Sequence, residues 1–186
     1  MKILNTTLIA CGFAAVAAQS ALVPSVLAQT LTPETVVSAG RLPEDSRKVG
    51  SAVTVIQLED IVNRQDDIVS NILRDVPGVA VNQTGGVGGF TQIRIRGAEA
   101  NHVLVRIDGM DTTDPAAGNE FDFANLLAFG VKRVEVLRGP QSGIYGADAL
   151  AGVISIETLD GKPGVHLQTI HEFGSFTTFL NGVRLS

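Results

Sequence analysis

Residues 131–158 read VKRVEVLRGPQSGIYGADALAGVISIET. Two segments in which apolar and polar residues alternate, VKRVEVLR and GVISIET, flank a glycine-rich centre, and this pattern predicts a strand, a compact turn and a second strand. Lys132, Arg133, Glu135 and Arg138 are charged residues on a strand whose valines favour burial. Either one face of this strand is wet, or its charges have buried partners.

The composition limits the fold and the partners. The 186 residues are enough for one ordinary domain. With 20 glycines, one tyrosine and no tryptophan, the core is expected to be aliphatic and the chain rich in turns, which favours short strands over a helix bundle. The formal net charge of −5 makes a nucleic acid an unfavourable partner.

Residues 1–28 have the pattern of a signal peptide that is removed on export: Lys2, an uncharged apolar run, and a small-residue cleavage site ending at Ala28. The alternative is a membrane-anchoring helix, which the polar residues and the proline within the run make less favourable. Cys11 is the only cysteine and lies in this leader. The mature chain is therefore expected to have no disulfide and no cysteine metal site.

Residues 29–50 lack clear periodicity and are predicted to form a flexible segment. Within them, residues 34–39 are rich in β-branched side chains. They fit a strand that is offered to the sheet edge of another protein, or a first strand of this domain's own sheet.

The stretch 58–79 contains a predicted amphipathic helix that Asp66 or Asp67 can cap at its start and that Pro77 and Gly78 end. Its apolar residues recur at helical spacing and are expected to face a core: Ile68, Val69, Ile72, Leu73 and Val76.

Residues 82–90 form a glycine loop. No GK[ST] follows it, and the last glycine of a G-x-G-x-x-G motif would have to stand at Thr91, so a phosphate cradle is excluded. The loop is then either a mobile connection or a ligand loop. An acidic series follows in the chain and lacks the spacing of a calcium loop, so a solvated acidic loop is the preferred interpretation and a metal site the second one: Asp108, Asp111, Asp114, Glu120 and Asp122.

The catalytic motifs G-x-S-x-G and H-E-x-x-H do not occur in this sequence, and Ser142 is most simply a turn residue. We therefore predict a protein that is not an enzyme and needs no cofactor. His166 and His171 are an odd number of residues apart, on opposite faces of a strand, so they do not predict a metal pair.

Residues 165–186 change character. Two segments alternate apolar and polar residues over nearly the roughly 10 residues of a membrane β-strand, with a possible turn at Gly174 and Ser175.

Five motifs in order, ETVVSA, NILRDVPGV, IRIRG, VLVRIDG and VEVLRGPQSGIYGADALAGVISIET, cover residues 34–158. Together they resemble the plug domain of TonB-dependent outer-membrane receptors. The glycine loop and NHVLVRIDG look most like the cobalamin (vitamin B12) transporter branch, although the iron-siderophore and colicin-receptor branches share most of these motifs.

The resemblance implies an α+β fold, with a small mixed β-sheet, short helices and glycine-rich loops, folded inside a transmembrane β-barrel. It divides the chain into a signal peptide (1–28), a flexible segment with a TonB box (29–50), a plug domain (51–160) and the first one or two strands of a barrel (161–186). It also implies a place in the cell outer membrane, energy supplied through TonB of the inner membrane, and a small-molecule substrate, either cobalamin or a ferric siderophore.

The resemblance assigns site residues as well. The TonB box comprises Glu34, Thr35, Val36, Val37, Ser38 and Ala39. Substrate contacts fall on two loops, 82–90 and 110–121, and are assigned to Asn82, Gln83, Thr84, Gly85, Gly86, Gly88, Gly89, Phe90, Asp111, Asp114 and Asn119. Charge pairing with the inner barrel wall is assigned to Arg96, Glu135 and Arg138.

A complete barrel needs several hundred residues, so we expect a truncated or partial product in which Glu135 and Arg138 are solvated or mispaired. The alternative function is a stand-alone periplasmic plug-like protein that binds TonB or a ligand without transport.

Overall fold

A computed structural model of the protein describes residues 35–36, 44–161, 163–175 and 179–185. The predicted signal peptide lies outside these residues. The strands are β1 Thr35–Val36, β2 Glu44–Asp45, β3 Ala52–Gln57, β4 Val79–Gln83, β5 Thr91–Ile95, β6 Val103–Ile107, β7 Met110–Asp111, β8 Val131–Arg138, β9 Gly152–Thr158, β10 Leu167–Phe173 and β11 Phe179–Leu185. The α-helices are α1 Leu58–Arg64, α2 Val69–Leu73 and α3 Ser142–Tyr145, and 3-10 turns occupy Ser46–Lys48, Ala100–His102, Pro115–Ala117 and Ala147–Ala149.

The central sheet has five strands in the order β3-β8-β9-β6-β7. Strand β8 pairs antiparallel with β3 and β9, whereas β6 pairs parallel with β9. The predicted strand, turn and strand over residues 131–158 are therefore confirmed, with α3 and a 3-10 turn forming the connection. A mixed sheet with a few short helices also confirms the predicted α+β class.

Gly152 begins β9 at a point where the chain approaches its neighbours closely. A Cβ at this position would clash with the carbonyl oxygen of Leu137 and lie 2.9 Å from Cδ1 of Ile95. Only glycine lets β8 and β9 pair at this register with β5 packed beside them.

The sheet is covered on both faces. Alternation along the strands places Val134, Val136, Ile154 and Ile156 in the larger buried cluster, which also holds apolar residues of the α1–α2 region and of β5. A smaller cluster contains Leu104, Leu137 and Val153 of the opposite face, with Ala149 of a 3-10 turn packed against them. We call this opposite side the second face of the sheet.

The stretch 58–79 holds two helices: α2 lies within the predicted helix, and α1 comes before its predicted start. Gln65 follows α1 with a φ of 55°, in the left-handed region, and this turns the chain before α2. The predicted cap at Asp66 or Asp67 is wrong, because the N-cap of α2 is Ile68 without a side-chain bond. The N–H of Val69 instead donates to the carbonyl of Leu126 at 3.0 Å, so tertiary contact replaces a local cap.

Strands β10 and β11 form an antiparallel hairpin that begins shortly after the sheet ends. A Cβ at Gly182 would lie 2.6 Å from Cγ2 of Ile170 and 3.2 Å from the ring of Phe129, so a glycine is needed where Phe129 meets the hairpin. Arg184 also donates to the carbonyl of Leu159 at 2.6 Å. The two strands predicted from residues 165–186 are thus present and attached to the rest of the domain. In the described part of the chain, no helix has both the length and the apolar character needed to cross a membrane.

Candidate functional site

The glycine loop connects β4 to β5 and is closed by hydrogen bonds of its own. The N–H of Thr84 donates to the carbonyl of Phe90 at 2.9 Å, and the N–H of Gly89 donates to the carbonyl of Gly86 at 2.9 Å. The side chain of Gln83 donates to the carbonyl of Gly86 at 2.8 Å. The loop is therefore an ordered turn rather than an open connection.

This turn requires a glycine at position 89. A Cβ on Gly89 would overlap the carbonyl oxygen of Thr84 and would lie 3.0 Å from that of Gly86. At Gly86 itself nothing lies within 4 Å of the corresponding position. At its tip the loop presents main chain and an exposed apolar side chain, because Val87 is 90% exposed.

The acidic loop follows β7, and its predicted contact residues have structural partners. Asp111 pairs with Arg106 at 2.7 Å. Asp114 accepts a hydrogen bond from the N–H of Ala116 at 2.9 Å and so caps the 3-10 turn. Asn119 has a φ of 67°, and its N–H donates to the carbonyl of Asp114 at 2.8 Å. These bonds order the loop and leave Asp111 and Asp114 exposed.

The bases of the two loops lie side by side. The N–H of Thr91, just after the glycine loop, donates to the carboxylate of Asp122 at 2.9 Å. The side chain of Gln92 donates to the carboxylate of Glu120. Within the described residues, no group of three or more His, Cys, Asp and Glu side chains is arranged to hold a metal ion. Asp122 and Glu120 join the two loops through these hydrogen bonds, a role that their spacing in the sequence does not indicate.

The three residues predicted to pair with a barrel wall are not one cluster. Arg96 and Arg138 lie near each other, because the Cβ position of Gly78 is 3.8 Å from Cγ of Arg96 and 4.0 Å from Cδ of Arg138. Glu135 is three residues before Arg138 in the same strand, so alternation places it on the opposite side, which is the second face.

The expectation of a solvated or mispaired residue is wrong for Glu135. Glu135 is only 1% exposed and lies 2.6 Å from the guanidinium of Arg133. Arg138 donates to the carbonyl of Pro77 at 2.5 Å and to the hydroxyl of Thr54 at 2.8 Å. Glu135 therefore has a cationic partner within the domain, as a carboxylate this deeply buried needs, whereas the bonds described for Arg138 go to neutral oxygen atoms.

Of the predicted TonB box, the structure describes Thr35 and Val36; Glu34, Val37, Ser38 and Ala39 lie outside the described residues. Thr35 pairs with Asp45 and Val36 with Glu44, so β1 is a strand in a pair with β2. The side chain of Val36 is fully buried. Arg133 also donates a hydrogen bond to the carbonyl of Thr35.

Arg133 is thus the central charged residue that the sequence analysis left without a role. It joins the strand β1 to the buried Glu135. The ion pair could have been predicted from the sequence. Residues 133 and 135 are two apart on a strand, so they share a face, and their charges are opposite.

A second ion pair lies at the start of β8. Lys132 donates to the carboxylate of Asp160 at 2.8 Å, and both side chains are exposed. This hydrogen bond, reinforced by the charge of Lys132, lowers the pKa of the Asp160 carboxyl, and the same bond raises the pKa of Lys132. Because the pair is solvated, its effect on stability is screened.

The family model described as the TonB-dependent Receptor Plug Domain matches residues 45–153, which is more than half of the chain. Among solved structures, a mutant ferric enterobactin receptor (PfeA) from Pseudomonas aeruginosa in complex with enterobactin is 30% identical with a TM-score of 0.53; the match covers 66% of this chain and 20% of that chain.

Two further structures extend the comparison. The siderophore receptor PirA from Acinetobacter baumannii is 28% identical with a TM-score of 0.53, over 67% of this chain and 19% of that one. FpvA of Pseudomonas aeruginosa, bound to a heterologous pyoverdine, is 22% identical with a TM-score of 0.66, over 81% of this chain and 19% of that one, and supports the fold alone. This chain spans about a fifth of the length of these proteins. Because this family model matches residues 45–153, the chain belongs to the TonB-dependent receptor plug domain family.

Proposed function

We propose that this chain is the gating plug of an outer-membrane receptor for the active uptake of a ferric siderophore. The observation that carries the proposal is the plug-family match over residues 45–153, together with siderophore receptors among the similar structures. The resemblance of the sequence motifs to the cobalamin branch stays a prediction. A substrate titration distinguishes a ferric siderophore from cobalamin.

The adjoining glycine and acidic loops are the proposed substrate surface. Their bases are joined by the Thr91 to Asp122 hydrogen bond, so the two loops would meet a bulky ligand together. Around Gly89 the main chain is ordered, and the glycines leave little side-chain bulk between it and a ligand. Asp111 and Asp114 add exposed carboxylates at the second loop.

Residues 34–39 are the proposed TonB box. A strand is suited to this task, because a partner can add its own strand to it through main-chain hydrogen bonds. The pairing of β1 with β2 supports the proposal, since it shows Thr35 and Val36 in an extended conformation that pairs with another strand through the main chain.

The hairpin β10–β11 is proposed as the beginning of a transmembrane barrel. Its exposed residues on one face are largely apolar and include the neighbouring rings of Phe173 and Phe179, whose centroids are 4.7 Å apart. The other face carries Glu172 and Arg184 and contacts the domain. Apolar and polar faces that alternate in this way are typical of a strand between lipid and a polar interior. Arg96 and Arg138 are then the proposed partners of the barrel wall, whereas Glu135 is paired inside the plug.

The test is a titration of the full-length receptor, in detergent, with a panel of ferric siderophores and with cobalamin. We expect saturable binding of at least one ferric siderophore and no binding of cobalamin. Replacing Gly89 with Ala should weaken that binding, while Gly86→Ala serves as the matched control in the same loop. Saturable binding of cobalamin alone would contradict the siderophore proposal.

A further inference from the structure

Three pairs in this chain place a glycine directly after an aspartate or an asparagine: Asp108–Gly109, Asp160–Gly161 and Asn181–Gly182. Such a pair is chemically reactive, because glycine has no side chain to shield its main-chain nitrogen from the carboxyl or amide carbon of the residue before it. Attack of that nitrogen closes a five-membered succinimide ring. The side chain must be free to turn towards the nitrogen, so the surroundings of each pair decide whether it reacts.

Two of the three pairs are held away from this geometry. The carboxylate of Asp108 accepts hydrogen bonds from the N–H and from the hydroxyl of Thr158, each 2.8 Å long. The N–H of Asp108 also donates to the carbonyl of Ile156 at 2.9 Å. Asn181 lies inside β11, opposite His171 of β10, and the two side chains are hydrogen-bonded at 2.6 Å. Both side chains must break these bonds before they can reach the following nitrogen.

Asp160 is held far less firmly. It lies in the connection between β9 and β10, and its side chain is 77% exposed. Among the residues that the structure describes, its carboxylate accepts one hydrogen bond, from Nζ of the exposed Lys132 at 2.8 Å. An exposed ion pair of this kind is weak, because water screens it. Nothing lies within 4 Å of the position that a Cβ on Gly161 would take, so the attacking nitrogen has open space around it.

We infer that Asp160 is a site of spontaneous isomerisation to isoaspartate, and that this change moves a carboxylate from Lys132 to Arg184. The nitrogen of Gly161 attacks Cγ of the neutral carboxyl group. A C–N bond forms, the C–O bond to the hydroxyl breaks, and the hydroxyl leaves as water with the amide proton. Water then opens the ring. When it adds to the former main-chain carbonyl carbon, that carbonyl becomes the free carboxylate, and the main chain continues through Cβ and Cγ.

The new carboxylate has a different partner because of the position of Arg184. Nη2 of Arg184 donates to the carbonyl of Asp160 at 3.3 Å and to that of Leu159 at 2.6 Å. After isomerisation the Asp160 oxygen of this contact belongs to a carboxylate, so a hydrogen bond to a neutral group becomes an ion pair. Lys132 keeps only a neutral amide carbonyl near it. The main chain also gains one methylene group at the joint between the central sheet and the β10–β11 hairpin.

The ion pair with Lys132 slows the reaction. The reacting form of Asp160 is the neutral carboxyl, because its hydroxyl leaves as water. The hydrogen bond from Lys132, reinforced by the charge of Lys132, lowers the pKa of Asp160, and the charge of Arg184 acts in the same direction. Glu157 adds negative charge near Lys132 and helps to keep it protonated. Loss of Lys132 therefore increases the fraction of Asp160 that is neutral at a given pH, and with it the rate.

The test is ageing of the full-length receptor in detergent at physiological temperature, with isoaspartate at each position measured by fragmentation mass spectrometry. Position 160 should accumulate isoaspartate roughly 10-fold faster than position 108, because two hydrogen bonds must break before Asp108 can turn. Gly161→Ala is the matched control. Its methyl group enters open space in the fold but shields the nitrogen, so isoaspartate at position 160 should fall to the level at position 108. Thr158→Val removes one donor to Asp108 and should raise isoaspartate at position 108 but not at position 160.

Lys132→Met should accelerate the reaction at position 160. Near neutral pH, its rate relative to the parent should equal the ratio of the neutral carboxyl fractions, which follow from the pKa of Asp160 measured by NMR titration in both proteins. In the aged protein, Arg184→Gln should raise the pKa of the new carboxyl, whereas Lys132→Met should leave it unchanged; the reverse result overturns the move to Arg184.

Two results overturn the site itself. One is isoaspartate that forms at position 108 as fast as at position 160, and the other is an equal rate at position 160 in Gly161→Ala and in the parent. An unchanged rate in Lys132→Met, although the pKa of Asp160 rises, overturns the role of Lys132. None of these outcomes depends on a substrate or on TonB, so the proposed function stands or fails separately.

Discussion

Replacing Gly89 with Ala should disrupt the glycine loop, whereas Gly86→Ala in the same loop should not. The Cβ added at position 89 would overlap the carbonyl of Thr84, so the main chain must shift. That shift breaks or stretches two hydrogen bonds, from Thr84 to Phe90 and from Gly89 to Gly86, each 2.9 Å long. At about 0.5–1.5 kcal/mol for each bond, the free energy of unfolding should fall by about 1–3 kcal/mol.

Urea unfolding followed by circular dichroism measures this loss. With a slope of about 2 kcal/mol/M, the midpoint of Gly89→Ala should fall by about 1 M relative to the parent. Hydrogen exchange at the Thr84 amide should accelerate in the same variant, because its acceptor is displaced. Gly86→Ala should match the parent in both measurements, since the added methyl group enters open space. If Gly89→Ala shows the parent's midpoint and the parent's exchange rate at Thr84, the reasoning is wrong.

Two further predictions concern the sheet and its edge. Gly152→Ala should lower the free energy of unfolding by about 2 kcal/mol, because the new methyl group clashes with the carbonyl of Leu137 and with Ile95. Urea unfolding measures this loss. Gly50→Ala is the control, because nothing lies within 4 Å of a Cβ at that position. Lys132→Met should return the pKa of Asp160 towards its ordinary value, measured by NMR titration of the carboxyl carbon. Since the folded-state pKa of Asp160 is lowered, the pair stabilises the fold above the unfolded-state pKa, and this contribution is lost as the pH falls through the folded-state value. An unchanged pKa in Lys132→Met would contradict the assigned cause.

The strands of the central sheet could be predicted from local pattern. Alternation over residues 131–138 and 152–158 is strong, and glycine marks both the turn and the close approach at Gly152. The pattern of apolar residues also identified α2 as a core element, but not where the helix begins. Its start at Val69 depends on a hydrogen bond from the N–H of Val69 to the carbonyl of Leu126, which is far away in the sequence.

The charged residues were harder to predict, because their partners come from tertiary structure. The resemblance grouped Glu135 with Arg96 and Arg138, but strand alternation separates them, and Glu135 pairs with its near neighbour Arg133. The docking of Val36 follows from its burial and from a contact between residues 98 positions apart. Periodicity within one segment contains no information on such a contact. The roles of the substrate loops and of the TonB box stay predictions.

Uptake in cells tests most directly whether the receptor imports a ferric siderophore through TonB and residues 34–39. Cells that express the full-length receptor are supplied with ferric siderophores carrying radioactive iron, in the presence and absence of TonB. We expect accumulation that requires TonB. It should be lost in Val36→Pro, because proline removes a main-chain donor, and retained in Val36→Ala. Accumulation that persists without TonB and in Val36→Pro would contradict the account.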